Sequence, residues 1–210
     1  MYAGIIDLSH NNAVELTAVQ QAGFTAVIHK ATEGATYQDP LYASRQAEAR
    51  QLGLLWGAYH FGTAAAVAEQ IANFMATANL GAGDLVALDY ETNTNDTADT
   101  MSLAQAEELV TSFQQQYGYF PLIYGSNLLT AASSQSPQSA LGRCGLWIAD
   151  YTSAAEPVLP ALFTQWSLWQ FGQTDVSGVS CDHNRFNGTE QELTAAWPMR
   201  GQTAATIQAS

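Results

Sequence analysis

Short apolar runs alternate with stretches of helical spacing along the first 125 residues. The apolar runs predict five strands, at residues 3–8, 24–31, 54–61, 85–91 and 120–124. Between them, apolar positions three or four apart predict helices at residues 14–22, 41–52, 64–80 and 102–117. Ser102 and Gln105 form a capping-box pair at the start of the last of these helices. Gly23 and Gly53 follow two others, where glycine commonly ends a helix.

The rhythm changes after residue 125. A small, polar stretch at residues 126–139 predicts a loop with a short helix, followed by strands at 146–150, 168–171 and 179–184 and a last helix at 189–197. Strands that alternate with helices run parallel and are joined by right-handed crossovers. We therefore expect an α/β fold: a modified TIM-like (β/α) barrel with about five βα units, then about three strands with few helices. An open doubly wound sheet with a strand-rich extension is the alternative. Residues 1–197 form one domain in this interpretation, and residues 198–210 form a polar C-terminal tail.

The charge balance excludes several classes of partner. Six Lys and Arg stand against 19 Asp and Glu, which gives a net charge of −13. Nucleic acid and anionic membrane surfaces are disfavoured, because both require clustered basic residues. No apolar run reaches the length of a membrane span, and the opening residues show no signal-peptide pattern, so the export route stays open. Cys144 and Cys181 are too few for a disulfide scaffold, and they form either one bridge or two buried thiols.

Four acids stand at strand ends. Asp7 ends the first predicted strand, Asp89 and Glu91 end the fourth, and Asp182 lies in the last. In parallel α/β folds, catalytic groups gather at the carboxyl ends of the strands. Asp89 and Glu91 are two residues apart, so their side chains share a face and their Cα atoms lie roughly 6.6 Å apart. Two like charges that close do not both ionise readily, and we expect one to hold a proton near neutral pH.

A paired acid and carboxylate is what the cleavage of a glycosidic bond requires. Loop capping or a structural cation would account for the pair equally well. Aromatic residues near the strand ends favour a sugar, because ring faces stack on sugar rings: Trp56, Tyr59, Phe61, Tyr90, Tyr124, Trp147, Tyr151, Trp169 and Phe171. A metal-dependent hydrolase barrel built on His10, His60 and His183 is a competing hypothesis, although no close pair of histidines occurs.

A set of segments covers nearly the whole domain: residues 4–10, 24–34, 39–40, 57–61, 88–91, 146–151, 169–171 and 182–188. In this order they resemble the glycoside hydrolase family 25 lysozymes, the Chalaropsis-type N-acetylmuramidases. The chain departs from the family pattern at Asn11 and Asn12, where an aromatic residue or a Tyr/Trp-Gln pair is usual, and in the polar loop 92–100.

The resemblance implies a flattened β/α barrel that hydrolyses the β-1,4 bond between N-acetylmuramic acid and N-acetylglucosamine in peptidoglycan. By position, Glu91 corresponds to the general acid and Asp89 to its partner carboxylate, while Asp7 and Asp182 correspond to the other cleft acids. The candidate substrate-binding residues are Tyr59, Tyr124 and Trp147, from the family's sugar cleft, with Tyr151 and Trp169 from the aromatic set. A wall-glycan-binding module without activity is the hypothesis of another class.

We expect no cofactor and no metal. The expected partner is the peptidoglycan glycan strand, met by a monomer at the cell wall, either outside the cell or in the periplasm. An inhibitor or immunity protein is a further candidate partner. A phage endolysin, a toxin delivered between bacteria and a secreted enzyme are all compatible with the sequence.

Overall fold

The apolar runs form the strands of a closed barrel in a computed structural model, which describes residues 1–203. The strands are β1 (Tyr2–Leu8), β2 (Ala26–Glu33), β3 (Tyr37–Gln38), β4 (Leu55–Phe61), β5 (Leu85–Asp89), β6 (Leu122–Gly125), β7 (Gly145–Ala149), β8 (Leu168–Val176) and β9 (Val179–Phe186). The barrel order is β1-β9-β8-β7-β6-β5-β4-β2, and β1 also pairs with β2, which closes the ring. β3 pairs with β2 outside the ring. The predicted modified barrel is confirmed, and the open-sheet alternative is wrong.

The last strand runs against the others. β1, β2 and β4 to β8 pair in parallel, whereas β9 is antiparallel to both β8 and β1. Only Ser177 and Gly178 separate β8 from β9, and both have positive φ, 54° and 83°. A two-residue turn with positive φ at both positions makes a tight hairpin, while a parallel connection needs a dozen residues or more. The turn therefore requires β9 to close the barrel in the antiparallel sense.

Helices pack around the barrel, and the helix that carries Leu193 packs this side chain against the interior apolar cluster. The helices are α1 (Leu16–Gln21), α2 (Tyr42–Leu52), α3 (Val67–Ala78), α4 (Leu103–Tyr117), α5 (Asn127–Gln135) and α6 (Glu190–Ala196). The capping box predicted at Ser102 and Gln105 is present at the start of α4. α3 begins three residues later than the pattern predicts, because Ala64 donates its N–H to the main chain and side chain of Asp99. No helix within residues 1–203 is long and apolar enough to cross a membrane.

The barrel interior changes from apolar to polar along its axis. Alternate residues of each strand point inwards, and the lower interior layers are a buried apolar cluster that includes Ile5, Ile28, Leu85, Leu122 and Leu168. One step further towards the carboxyl ends of the parallel strands, the same faces carry polar and aromatic groups. The alternation of inward-facing residues therefore places polar and aromatic side chains at the carboxyl ends of the parallel strands, next to the apolar interior layers.

The first part of the predicted tail is packed against the domain. Met199 is buried, and Phe120 donates its N–H to Gln202 O at 3.0 Å. Gly201 and Gln202 donate their N–H groups to Phe120 O and Arg143 O, both at 2.8 Å. Residues 198–203 therefore continue the structured domain, and the rest of the predicted tail, 204–210, lies outside the described residues.

Candidate active site

One cavity at the carboxyl ends of the parallel strands collects all four predicted acids. Asp7 comes from β1, Asp89 is the last residue of β5, Glu91 follows it by two residues, and Asp182 lies on β9. The cavity is lined by these four together with Tyr59, Tyr124, Trp147 and Gln170. The prediction that residues from distant parts of the chain meet at one mouth of the barrel agrees with this placement.

Asp7 is buried and tightly held. Its Oδ2 accepts one N–H from the side chain of Gln170 at 3.0 Å and another from Asn184 at 2.7 Å. Burial, helped by the charge of Asp182, raises the pKa of the Asp7 carboxyl to about 7, although the two amide donors oppose the rise. Asp7 therefore titrates near neutral pH, far above a carboxyl in water.

Asp89 is buried at the end of the apolar strand β5, and Glu91 is half-buried two residues later. Burial raises the pKa of Asp89 well above its usual value, and the charge of Glu91 adds to the rise. Burial also raises the pKa of Glu91, while the ammonium of Lys30 opposes that rise. Oδ1 of Asp89 has no hydrogen-bond partner within residues 1–203. Burial, more than the repulsion between the two carboxyls, therefore favours the protonated forms of the pair.

Asp182 sits at the rim, where two side chains donate to it. Its Oδ1 accepts from Gln173 Nε2 at 3.0 Å and from the Tyr151 hydroxyl at 3.2 Å. Tyr151 is exposed, with 58% of its surface accessible, so it stands at the edge of the cavity. Its ring is free to contact a ligand that extends beyond the acids.

The predicted aromatic residues separate into two groups. Tyr59, Tyr124 and Trp147 line the cavity, and the rings of Tyr124 and Trp147 meet edge to face at 4.8 Å between centroids. Trp169 is fully buried and donates its indole N–H to the Asp150 carbonyl at 2.7 Å. It points to the outer face of β8, towards the helices, because its neighbours Leu168 and Gln170 point inwards. The prediction that Trp169 contacts substrate is therefore wrong.

Two amides of the site were missed by the sequence reasoning. Gln170 lines the cavity, and Asn184 lies directly behind it as its cross-strand partner on β9. The signal was present in the period-two alternation: Asn184 is two residues from Asp182 on one strand and shares its face.

The candidate metal-binding histidines do not converge. His60 is buried against Thr32 and Gln70, where burial lowers its pKa to about 4. His183 bonds the Ala3 carbonyl, and His10 bonds Asp39. In the part of the chain that the structure describes, no group of three or more His, Cys, Asp or Glu side chains is arranged to hold a metal ion. Cys144 and Cys181 are both free and buried, so the alternative of a disulfide bridge is wrong.

Both the sequence and the fold of the chain match known proteins. The model of the family described as "Glycosyl hydrolases family 25" matches residues 6–179. Lysozyme M1 of Streptomyces globisporus is 28% identical over 205 residues, which cover 90% of this chain and 69% of that protein. The structure of a muramidase from Acremonium alcalophilum is 28% identical, with a TM-score of 0.75, and the match covers 93% of this chain and 98% of that one. The structure of the bacterial lysozyme from Streptomyces coelicolor has the same fold, with a TM-score of 0.76 at 24% identity over 92% of this chain and 95% of that one. The chain spans 55% to 69% of the length of the curated relatives it matches.

Proposed function

The chain belongs to glycosyl hydrolase family 25, and from this premise we propose that it hydrolyses the β-1,4 bond from N-acetylmuramic acid to N-acetylglucosamine in peptidoglycan. The observation that carries the proposal is the meeting of Asp7, Asp89, Glu91 and Asp182 in one cavity at the barrel mouth. The relatives that support the substrate are lysozymes and a muramidase. The site of action is accordingly the bacterial cell wall.

Glu91 is the proposed general acid. The bridging oxygen is a poor leaving group until it is protonated, and an acid with a raised pKa still carries its proton at the pH of the reaction. Burial supplies that rise for Glu91, and its half-buried position at the cavity wall leaves the carboxyl accessible to a bound glycan. Glu91 gives its proton to the leaving oxygen and takes one back from the water that completes hydrolysis.

Asp89 is the proposed partner of the substrate's 2-acetamido group. In the free protein its deeper burial favours the protonated form. Asp89 lines the cavity, so its carboxyl is the proposed acceptor for the acetamido N–H, and such a hydrogen bond stabilises the carboxylate. Substrate binding then leaves Asp89 anionic and the proton on Glu91. The acetamido oxygen, oriented by this bond, attacks the anomeric carbon as the leaving oxygen departs, which is a known exception to the two-carboxylate scheme.

Removal of the Glu91 proton tests the assignment. Glu91→Gln keeps the size of the side chain, so we expect the fold to persist and the clearing of purified peptidoglycan to fall by at least about 100-fold, the lower range for loss of general acid catalysis. Glu108→Gln, which removes one exposed carboxylate from α4, is the matched control and should clear at the parental rate. Clearing by Glu91→Gln at near the parental rate would show that another group protonates the leaving oxygen.

A second measurement separates catalysis from binding. Glu91→Gln should still sediment with insoluble peptidoglycan, because its cavity and aromatic rim are intact. A parent protein that sediments with the wall but releases no soluble fragments would instead be a wall-glycan-binding module.

A further inference from the structure

Two buried amides act on a single oxygen of Asp7. Gln170 on β8 and Asn184 on β9 are register partners across the hairpin, and both side chains are buried, at 5% and 0% exposure. Both donate to Oδ2 of Asp7, at 3.0 and 2.7 Å. An oxygen that accepts two N–H donors has no room for a proton of its own. Any proton that Asp7 binds therefore resides on Oδ1.

The orientation of both amides is determined by aromatic donors behind them. Trp147 donates its indole N–H to Asn184 Oδ1 at 2.7 Å, and Tyr124 donates its hydroxyl to Gln170 Oε1 at 3.0 Å. The hydroxyl of the exposed Tyr151 also lies 3.2 Å from Gln170 Oε1, but it has one proton, which it shares with Asp182 Oδ1 at the same distance. An indole N–H can only donate and a carboxylate can only accept. The Asn184 amide must consequently place its oxygen at Trp147 and its nitrogen at Asp7. Reversing Asn184 would set like groups against each other at both ends, and reversing Gln170 would set its amide oxygen against Asp7 Oδ2.

The aromatic rings have little surface left for substrate. Trp147 is 2% exposed, so its ring faces are enclosed by the interior. Its edge packs on Tyr124, whose hydroxyl is already bonded to Gln170. A sugar-stacking platform needs an open ring face, and Trp147 does not present one.

We propose that Trp147 and Tyr124 are positioning residues that orient Asn184 and Gln170, so that Asp7 presents Oδ1 alone to the cavity. The catalytic role of this arrangement rests on the proposed function, because Oδ1 is then the one oxygen through which Asp7 exchanges a proton with water or substrate. The hydrogen-bond network itself does not depend on that function. The order of contacts is aromatic donor, amide oxygen, amide nitrogen and Asp7 Oδ2.

Several titratable groups surround Asp7 and share its electrostatic environment. They are Asp89, Glu91 and Asp182 among the carboxyls, Tyr59, Tyr124 and Tyr151 among the phenols, and the Cys181 thiol. The carboxylates favour the protonated form of Asp7, and the two amide N–H groups favour the charged form. Loss of correct amide orientation should therefore raise the titration midpoint of Asp7.

Carbon NMR of the side-chain carboxyls in the ligand-free protein measures that midpoint directly. We expect Tyr124→Phe and Trp147→Phe each to raise the Asp7 midpoint by about one pH unit, the size of one hydrogen bond to a charged group. Tyr124→Phe removes only an oxygen, so it keeps the test informative if Trp147→Phe fails to fold. Tyr59→Phe is the matched control for the titration, because it removes a hydroxyl from the same cavity that bonds neither amide.

The outcomes are distinct. A raised midpoint in the folded Tyr124 and Trp147 variants, with an unchanged midpoint in Tyr59→Phe, supports the positioning role, and the acidic-to-neutral limb of the activity profile should move with it. An unchanged midpoint in both variants, or an equal rise in the Tyr59 control, would overturn it. A parent protein that releases no glycan fragments while its variants show the raised midpoint would refute the proposed function and leave the positioning role standing.

Discussion

Asp7→Asn should stabilise the protein at high pH and leave its stability unchanged at low pH. Asp7 has a pKa of about 7 in the folded protein against an ordinary value of 3.8, because burial and the charge of Asp182 disfavour the carboxylate. A raised carboxyl pKa means that the folded state binds the proton more tightly than the unfolded chain. Its stabilising contribution is complete below about pH 4 and is lost as pH rises through about 7.

The magnitude follows from the two pKa values. They differ by about three pH units, which at 1.36 kcal/mol per unit corresponds to about 4 kcal/mol once both states are ionised. Asparagine is close in size, cannot ionise, and still offers an oxygen to the N–H groups of Gln170 and Asn184. We therefore expect Asp7→Asn to raise the free energy of unfolding by up to about 4 kcal/mol at pH 8 and to have little effect at pH 3.5.

Urea unfolding followed by tryptophan fluorescence at the two pH values measures this difference. Glu108→Gln, at an exposed position on α4, is the matched control and should change stability by no more than a few tenths of a kcal/mol at either pH. An Asp7→Asn effect of equal size at both pH values, or a loss of stability at pH 8, would refute the assignment of Asp7 as a buried carboxyl with a raised pKa.

Two further predictions follow from the fold and the charge. Gly125→Ala should lower the free energy of unfolding by about 1–3 kcal/mol and reduce activity, because a Cβ there would lie 2.5 Å from the carbonyl oxygen of Tyr90, next to Glu91. A thermal melt with an unchanged midpoint would contradict this prediction. The rate of wall clearing should rise as salt is added up to about 0.1 M, where the Debye length is about 10 Å. The reason is that salt screens the repulsion between a chain of net charge −13 and an anionic wall. A clearing rate that does not change with salt would contradict this prediction.

The parallel part of the barrel was predictable because its signals are local. Apart from the two-residue β3, each strand from β1 to β6 is a largely apolar run, and a helix follows it before the next barrel strand. The Ser102 and Gln105 cap marks α4 in four residues. The antiparallel closure was harder to foresee. The outer half of β8, Gly172 to Asp175, has no apolar alternation, because only Val176 at its end packs into the core. A strand whose side chains face solvent on this segment carries no hydrophobic signal.

The acids of the site were predictable from their position at strand ends, whereas their surroundings were not. Gln170 and Asn184 look like ordinary polar residues in sequence, and only the closed barrel brings β8 and β9 beside Asp7 on β1. Trp169 was wrongly assigned to the cavity because its position near a strand end does not show from which face of the strand its side chain projects. The packing of Met199 was missed because a single apolar residue in a polar stretch has no periodicity.

Identification of the bond that is cleaved is the most direct test of the proposed muramidase activity. Purified peptidoglycan should be digested with the protein, and the soluble fragments reduced with borohydride and sequenced by mass spectrometry. Cleavage at the proposed bond leaves N-acetylmuramic acid at every new reducing end. Fragments with N-acetylglucosamine at the reducing end, or fragments released only by cleavage within the peptides, would show that the protein cleaves a different bond.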